Sequence, residues 1–195
     1  MGKIAAFLDF QGTLGGSGID DIRTFTFYPF SIESIKILNK NNILAIGITN
    51  QSRIAKGELT MEDYSKHLER IKNELKYNNA HFDAVYCCPH SREDKCACKK
   101  PATGMIDAAK AEFEIDHNRM YVIGDMGMND MVLAKNINAK GILVLTGTGR
   151  GSLNEYRYTW QDIEPDFIAE NVLEAVNYIL SDCGHGDFGD QYTGF

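Results

Sequence analysis

Short apolar runs rich in β-branched residues recur at residues 3–8, 43–48, 83–86, 120–123 and 142–145, each bounded by turn residues. Runs this short, apolar without alternation, predict strands buried on both faces, as in a parallel sheet. Between them apolar positions return at helical spacing. Ile32, Ile35 and Leu38 mark a helix over 31–39, and Met61, Tyr64, Leu68, Ile71 and Leu75 mark another over 60–77. A third is expected over 101–113 and a last over 167–180. Thr60 and Asp63 approximate a capping box for the second, and Pro101 suits the first turn of the third, where its missing N–H costs nothing. Strands alternating with helices predict an α/β fold, a Rossmann-like doubly wound parallel sheet whose ligand site lies beyond the carboxyl ends of the strands.

Composition narrows this picture. A chain of 195 residues that is 44% hydrophobic can bury one good core, so a single domain over 1–182 is expected. The tail from 183 to 195, with Gly184, Gly186, Gly189 and Gly194, is expected to be loose. Net charge is -7 and the cations are scattered, apart from Lys99-Lys100, which argues against a nucleic-acid partner. The apolar N-terminal run meets Asp9 too early for a signal peptide or a membrane span, so a cytoplasmic location with no membrane partner is expected. No oligomer interface is legible.

Four of the five cysteines cluster, and three of them with one histidine form Cys88-Pro89-His90 and, five residues on, Cys96-Ala97-Cys98. Zn²⁺ favours tetrahedral thiolate and imidazole ligation, and a Cys₃His set leaves no open position for a reactive water. A structural zinc loop over about 87–100 is expected, with ligands Cys88, His90, Cys96 and Cys98. Cys87 could replace Cys88, and the bland alternative is a set of unrelated loop thiols beside a surface histidine.

Polar residues gather after the expected strands, at Asp9-Phe10-Gln11-Gly12-Thr13, Thr49-Asn50-Gln51 and Gly124-Asp125 followed by Asn129-Asp130, and before the third helix, at Lys100-Pro101. Singly, each has a dull explanation as a turn former, helix cap or solvated charge. As an ordered set they resemble the haloacid dehalogenase (HAD) superfamily of phosphohydrolases, over about the first 150 residues and again at the last helix. The segment from Thr49 to Gly57 and the one from Cys88 to Pro101 are similar to the D-glycero-D-manno-heptose 1,7-bisphosphate phosphatase group and its relative, the histidinol-phosphate phosphatase domain. That resemblance implies Asp9 as nucleophile, forming an aspartyl-phosphate. It implies Mg²⁺ on the Asp9 carboxylate, the backbone carbonyl of Gln11 and Asp125. It also implies phosphate bound by Thr49, Asn50 and Lys100, with Asp130, or Asn129 in the alternative spacing, orienting Lys100 or a water held by the metal. Arg53 and Lys56 could meet a second phosphate or simply be solvated cations. Too little chain separates the strands for a large cap, so an open site bordered by Gly15-Gly16-Ser17-Gly18, residues 53–57 and the zinc loop is expected.

One departure limits the resemblance. Gln11 stands where the superfamily has a second aspartate, which protonates the leaving oxygen and later activates water; an amide does neither. General acid–base catalysis is worth about 10² to 10⁴-fold. The expected function is therefore a Mg²⁺-dependent phosphatase of a small phosphorylated metabolite, of the sugar-phosphate kind, with weakened turnover. The alternative is a non-catalytic phosphate-binding or regulatory protein on the same scaffold. A zinc-ribbon nucleic-acid module fits the acidic balance poorly.

Overall fold

The structure, a computed structural model, describes residues 2–16 and 21–184. The expected loop at Ser17 and Gly18 and the tail beyond Gly184 lie outside the described residues. Six strands, β1 (Lys3–Leu8), β2 (Leu44–Asn50), β3 (Ala84–Cys88), β4 (Ile115–Gly124), β5 (Lys140–Val144) and β6 (Phe167–Ala169), form one sheet in the order β3-β2-β1-β4-β5-β6. Every pairing is parallel. The chain runs outward from β1 to β3 and then crosses back to β4, so the order reverses at β1 and opens a crevice at the strand ends there.

The pleat divides the core. Ile4, Ala6 and Leu8 of β1 join Tyr121 and Ile123 of β4 on one face, under α1 (Ser31–Lys40), α3 (Met61–Tyr77) and α7 (Val172–Asp182). Ala5 and Phe7 turn to the other face with Ile46, Ile48 and Val122, under α4 (Gly104–Glu112) and α5 (Val132–Asn136). Successive side chains of a strand point to opposite sides, so a strand covered by helices twice must be apolar throughout. Two further short helices, α2 (Ser52–Ala55) and α6 (Gly149–Leu153), come after β2 and β5 in the chain.

Three expectations change. The apolar stretch from residue 167 is not one helix: Phe167–Ala169 is an edge strand on β5, and α7 begins only after Asn171, whose side chain accepts from the N–H groups of Leu173 and Glu174. A three-residue strand running into an amphipathic helix leaves no period of its own. The third expected helix starts three residues late, at Gly104, and Pro101 lies in the preceding turn. There Ala102 N–H bonds to Lys99 O and Gly104 N–H to Ala97 O, and a side chain at Gly104 would strike that Ala97 carbonyl. The cysteine loop therefore sets where this helix begins. β4 is longer than expected because Asp116–Arg119 bulges between the pairs Lys3↔Ile115 and Ala5↔Met120, tied by Asp116 accepting from Asn118 N–H and Arg119 Nε. The capping box at Thr60 is as expected, its hydroxyl accepting from Asp63 N–H at 3.0 Å.

Phe7 is fully buried at the centre of the sheet. Phe7→Ala is expected to destabilise the protein by about 3–5 kcal/mol. A urea titration should show a lower midpoint with an unchanged slope.

Candidate active site

The register Leu8↔Gly47 and Leu8↔Ile123 brings the residues after β1, β2 and β4 to one edge. Phe10 is buried, and its ring stacks on Phe82 at 5.2 Å between centroids. Anchoring Phe10 in the core leaves its neighbours Asp9 and Gln11 lining the crevice. The Phe10 carbonyl then accepts from Leu14 N–H at 2.9 Å, closing a tight turn. Gly12 in that turn has φ +86°, and a Cβ there would lie 2.1 Å from Asp125 Oδ2. Gly147 presses on the same oxygen, and a Cβ there would lie 2.3 Å from it and 2.3 Å from Gly12 Cα.

Lys100 is the hub. Its Nζ donates to Asp9 Oδ1 at 2.6 Å and to Asp130 Oδ1 at 2.8 Å, in a setting where Lys100 is 3% exposed. Burial opposes the ammonium, but the charges of Asp130 and Asp9 outweigh it and raise its pKa. Asp130 is pushed up to about 6, chiefly by burial and against the pull of Lys100; its second oxygen accepts from Met126 N–H. Asn129 donates instead to the Met126 sulfur, so of the two spacings it is Asp130 that meets Lys100.

Asp125 is pushed up to about 7, first by burial and then by Asp9 and Asp130, despite Thr148 donating from its N–H and its hydroxyl at 2.7 and 2.8 Å. Carboxylate oxygens of Asp9, Asp125 and Asp130 all lie within 4.8 Å of one another. Three carboxylates against one ammonium leave negative charge uncompensated, and their oxygens are the donors that Mg²⁺ prefers. The residues present fit the ion that the resemblance implies. The turn carrying Asp130, a π-helical turn over Gly127–Met131, is fixed from behind. Ser152 donates to Asp125 O and accepts from Gly127 N–H, while Trp160 Nε1 donates to Ser152 O.

The residues after β2 act on their neighbours. The Asn50 amide is spent on the Lys100 backbone, accepting from its N–H at 3.0 Å and donating to its carbonyl at 3.2 Å. Asn50 thus positions Lys100. Thr49 is fully buried and donates to Gln11 Oε1 at 3.3 Å; Gln51 Nε2 donates to the same oxygen at 3.2 Å and to Thr49 Oγ1 at 2.9 Å. The Gln11 carbonyl oxygen is thereby turned inward, and its Nε2 is the group left to the crevice. Of the two expected outer cations, Lys56 lines the crevice, whereas Arg53 pairs with Glu58 at 2.8 Å. The crevice itself holds about 410 Å³, with Ser52, Arg92, Glu93 and Lys99 at its outer wall.

The four soft ligands come together beside it. Cys88 Sγ lies 3.7 Å from His90 Nδ1 and 3.5 Å from Cys96 Sγ, while Cys98 Sγ lies 3.2 Å from His90 Nδ1 and 3.6 Å from Cys96 Sγ. Zinc bonds of about 2.3 Å to sulfur and 2.0–2.1 Å to nitrogen imply tetrahedral edges of roughly 3.5–3.8 Å, close to these. Burial opposes ionisation of Cys96, but the backbone N–H groups of Lys99 and Cys98 lower it to about 7, and burial raises Cys88. Strand alternation decides between the two adjacent cysteines. Cys88 faces the cluster, whereas Cys87 packs on the opposite face of the sheet near Tyr64, its thiol pushed up to about 11 by burial. The loop is tied to the crevice by Lys99, which donates to Ser52 Oγ and to His90 O.

Sequence reasoning missed roles for Gln51 and Thr148. Both follow the end of a strand, and a polar turn after an apolar run was the available signal.

Comparison with known proteins agrees with this arrangement. Residues 97–175 match a family described as "HAD-hyrolase-like". D-glycero-beta-D-manno-heptose-1,7-bisphosphate 7-phosphatase of Pasteurella multocida is 34% identical over 154 residues, covering 74% of this chain and 83% of its own. The histidine biosynthesis bifunctional protein HisB of Baumannia cicadellinicola is 29% identical over 73% of this chain and 41% of its own. Among solved structures, the D,D-heptose 1,7-bisphosphate phosphatase of B. bronchiseptica, complexed with magnesium and phosphate, superimposes with a TM-score of 0.82 at 23% identity, covering 92% of this chain and 99% of that one. Among the described residues, no helix is long and apolar enough to cross a membrane.

Two outcomes follow. Protein purified without chelator is expected to carry about one zinc per chain, and Cys96→Ser should lose it along with order around the loop; a folded protein with under about a tenth of an equivalent contradicts the zinc assignment. Asp125 supplies a pH signature. Its folded pKa of about 7 exceeds the usual 3.8, so its contribution to stability is full below pH 3.8 and is lost as pH rises through about 7. Without Mg²⁺, melting temperature should therefore fall more between pH 5 and pH 8 than in Asp125→Asn, and added Mg²⁺ should restore the wild type alone.

Proposed function

Because the chain belongs to the HAD-like family that includes the heptose bisphosphate 7-phosphatases, we propose that it is a Mg²⁺-dependent phosphatase of a small phosphorylated metabolite of the sugar-phosphate kind. The observation that carries this reading is the buried bridge from Lys100 to Asp9 and Asp130, with Asp125 alongside, at the switch point of the sheet. Zinc on Cys88, His90, Cys96 and Cys98 would be structural, in a reducing compartment such as the cytoplasm.

Lys100 holds Asp9 Oδ1, which leaves Oδ2 to attack phosphorus. A bond forms from Oδ2 to phosphorus while the ester bond to the leaving oxygen breaks, giving an aspartyl-phosphate. The Lys100 charge opposes the repulsion between the carboxylate and the phosphoryl oxygens. Mg²⁺, held by Asp9, Asp125 and the backbone carbonyl of Gln11 with Asp130 close by, would neutralise phosphoryl charge when bound. Asp130 and Asn50 fix the lysine from its two ends, and the Gln11 Nε2 offers a hydrogen bond to the phosphoryl group without a transferable proton. The leaving oxygen must take its proton from solvent. In the second step water attacks phosphorus, phosphate leaves, and the proton released again goes to solvent rather than to residue 11. Both steps are slowed for an alkyl phosphate, whereas with a leaving group that needs no proton only the second is, and the phosphorylated enzyme then accumulates.

The Gln11 network also favours a second reading, a phosphate-binding protein that has lost turnover, because Thr49 and Gln51 hold the amide as a fixed structural element.

Gln11→Asp is expected to accelerate hydrolysis by about 10² to 10⁴-fold, and Asp9→Asn to abolish it. Intact-mass measurement of the wild type after mixing with acetyl phosphate and Mg²⁺ should show one added phosphoryl group. Fast alkyl phosphate hydrolysis by the wild type with no gain in Gln11→Asp would show that another group serves as acid and base. No turnover in either protein, with phosphate still bound, would establish the binding protein.

A further inference from the structure

The segment after β5 meets the loops of the crevice at three residues. Thr146 donates from its hydroxyl to the Gly12 carbonyl at 2.6 Å, holding the turn that follows β1. Both hydrogen bonds from Thr148 to Asp125 fall on Oδ2, which leaves Oδ1 to meet an ion. Ser152 is buried and takes hold of the backbone on either side of Met126, donating to Asp125 O at 2.9 Å and accepting from Gly127 N–H at 3.2 Å. A hydroxyl can do both at once, having one proton and two lone pairs.

Trp160 supports Ser152 in turn. Its Nε1 donates to Ser152 O at 3.0 Å, and its ring lies so close to Gly127 that a Cβ there would stand 2.1 Å from Cε2. The Arg157 guanidinium sits 4.1 Å from the centre of the indole and donates to Trp160 O, while Leu153 and Ile163 pack on the small core that Trp160 forms with Met131 and Leu143. The indole is thus buried with its one polar atom spent on the residue that holds the turn. Position matters at this turn because both buried acids of the cluster depend on it. Asp125 precedes Met126 directly, and Asp130 is tied to Met126 twice, its N–H donating to Met126 O and its Oδ2 accepting from Met126 N–H. A shift of the Met126–Gly127 peptide therefore moves both carboxylates together.

Resting on the Mg²⁺ reading of the site, we propose that Ser152 and Trp160 are positioning residues for Asp125 and Asp130, and that the segment after β5 thereby sets how tightly the crevice holds Mg²⁺. Neither side chain meets the ion or the phosphoryl group. Ser152 acts through the backbone of Asp125 and Gly127, and the indole N–H acts through Ser152. Groups that orient the ligands of a metal typically change its affinity by about 10–100-fold when removed.

The test is calorimetric titration with Mg²⁺ of the wild type, Ser152→Ala, Trp160→Phe and the double variant. Ser152→Ala is expected to raise the Kd by about 10–100-fold. Trp160→Phe keeps a ring against Gly127 but loses the indole N–H, and should raise the Kd by about fivefold, the worth of one neutral hydrogen bond. The double variant should bind as Ser152→Ala does, because the N–H works through that serine; independent effects would multiply. Ile179→Ala, buried under the other face of the sheet, should lower the melting temperature and leave the Kd unchanged. Excess Mg²⁺ should restore phosphorylation of Trp160→Phe by acetyl phosphate to the wild-type rate. Equal Kd values in the wild type and both single variants would overturn the proposal, as would a loss of affinity in Ile179→Ala as large as in Ser152→Ala. Should Ser152→Ala fail to fold, an unchanged Kd in Trp160→Phe overturns it alone. A wild type that binds no Mg²⁺ is a different failure: the acidic cluster itself has then been misassigned, and the proposal falls with it.

Discussion

One buried ammonium organises the functional end of this molecule. Lys100 arrives from the far side of the cysteine loop, yet meets the end of β1 through Asp9 and the end of β4 through Asp130. Desolvating a lysine is costly unless its charge is answered, and here two carboxylates answer it. The same pairing governs the carboxylates, since Asp9 and Asp130 could not share so dry a space without a cation between them. The three groups are therefore stable only together, and the strands and turns that carry them are held to a common geometry.

Holding Lys100 in that place is the task of the surrounding structure. Asn50 grips its backbone on both sides, and the soft-ligand cluster ends two residues earlier, at Cys98. The crosslink that a metal would supply there is thus a local constraint on Lys100 as well as a support for a short loop. Such loops gain most from an external staple, because they have little core of their own. Lys99 adds a second tether by joining Ser52 to the His90 carbonyl.

Much of this was legible in the sequence, for identifiable reasons. The strands were visible because helices cover both faces, which forces uninterrupted apolar runs; Asp9, Thr49 and Asp125 stood out because each ends such a run, and Lys100 because it precedes the expected third helix. What escaped depends on contacts between distant segments. Asn50 is paired with a backbone fifty residues away, and Thr148 reaches the carboxylate that follows β4. Both are polar turn residues until the fold supplies their partners. Cys87 and Cys88 differ only in which way the pleat points them, and that parity is set by the register of β3 on β2. Edge strand β6 was hidden because three apolar residues merge into the helix pattern that follows.

The two glycines that crowd Asp125 have a consequence for how this site tolerates change. Gly12 and Gly147 both crowd one carboxylate oxygen, each so close that a methyl group could enter only by displacing it. Once either has moved Asp125, the space the other protects no longer has the same value. Their substitutions are therefore non-additive, with the second costing less than it would alone. Along any lineage that has lost the carboxylate geometry, that shared constraint leaves both positions at once and their positive φ, +86° and +54°, still favours glycine, so change at residues 12 and 147 is expected to be linked rather than independent.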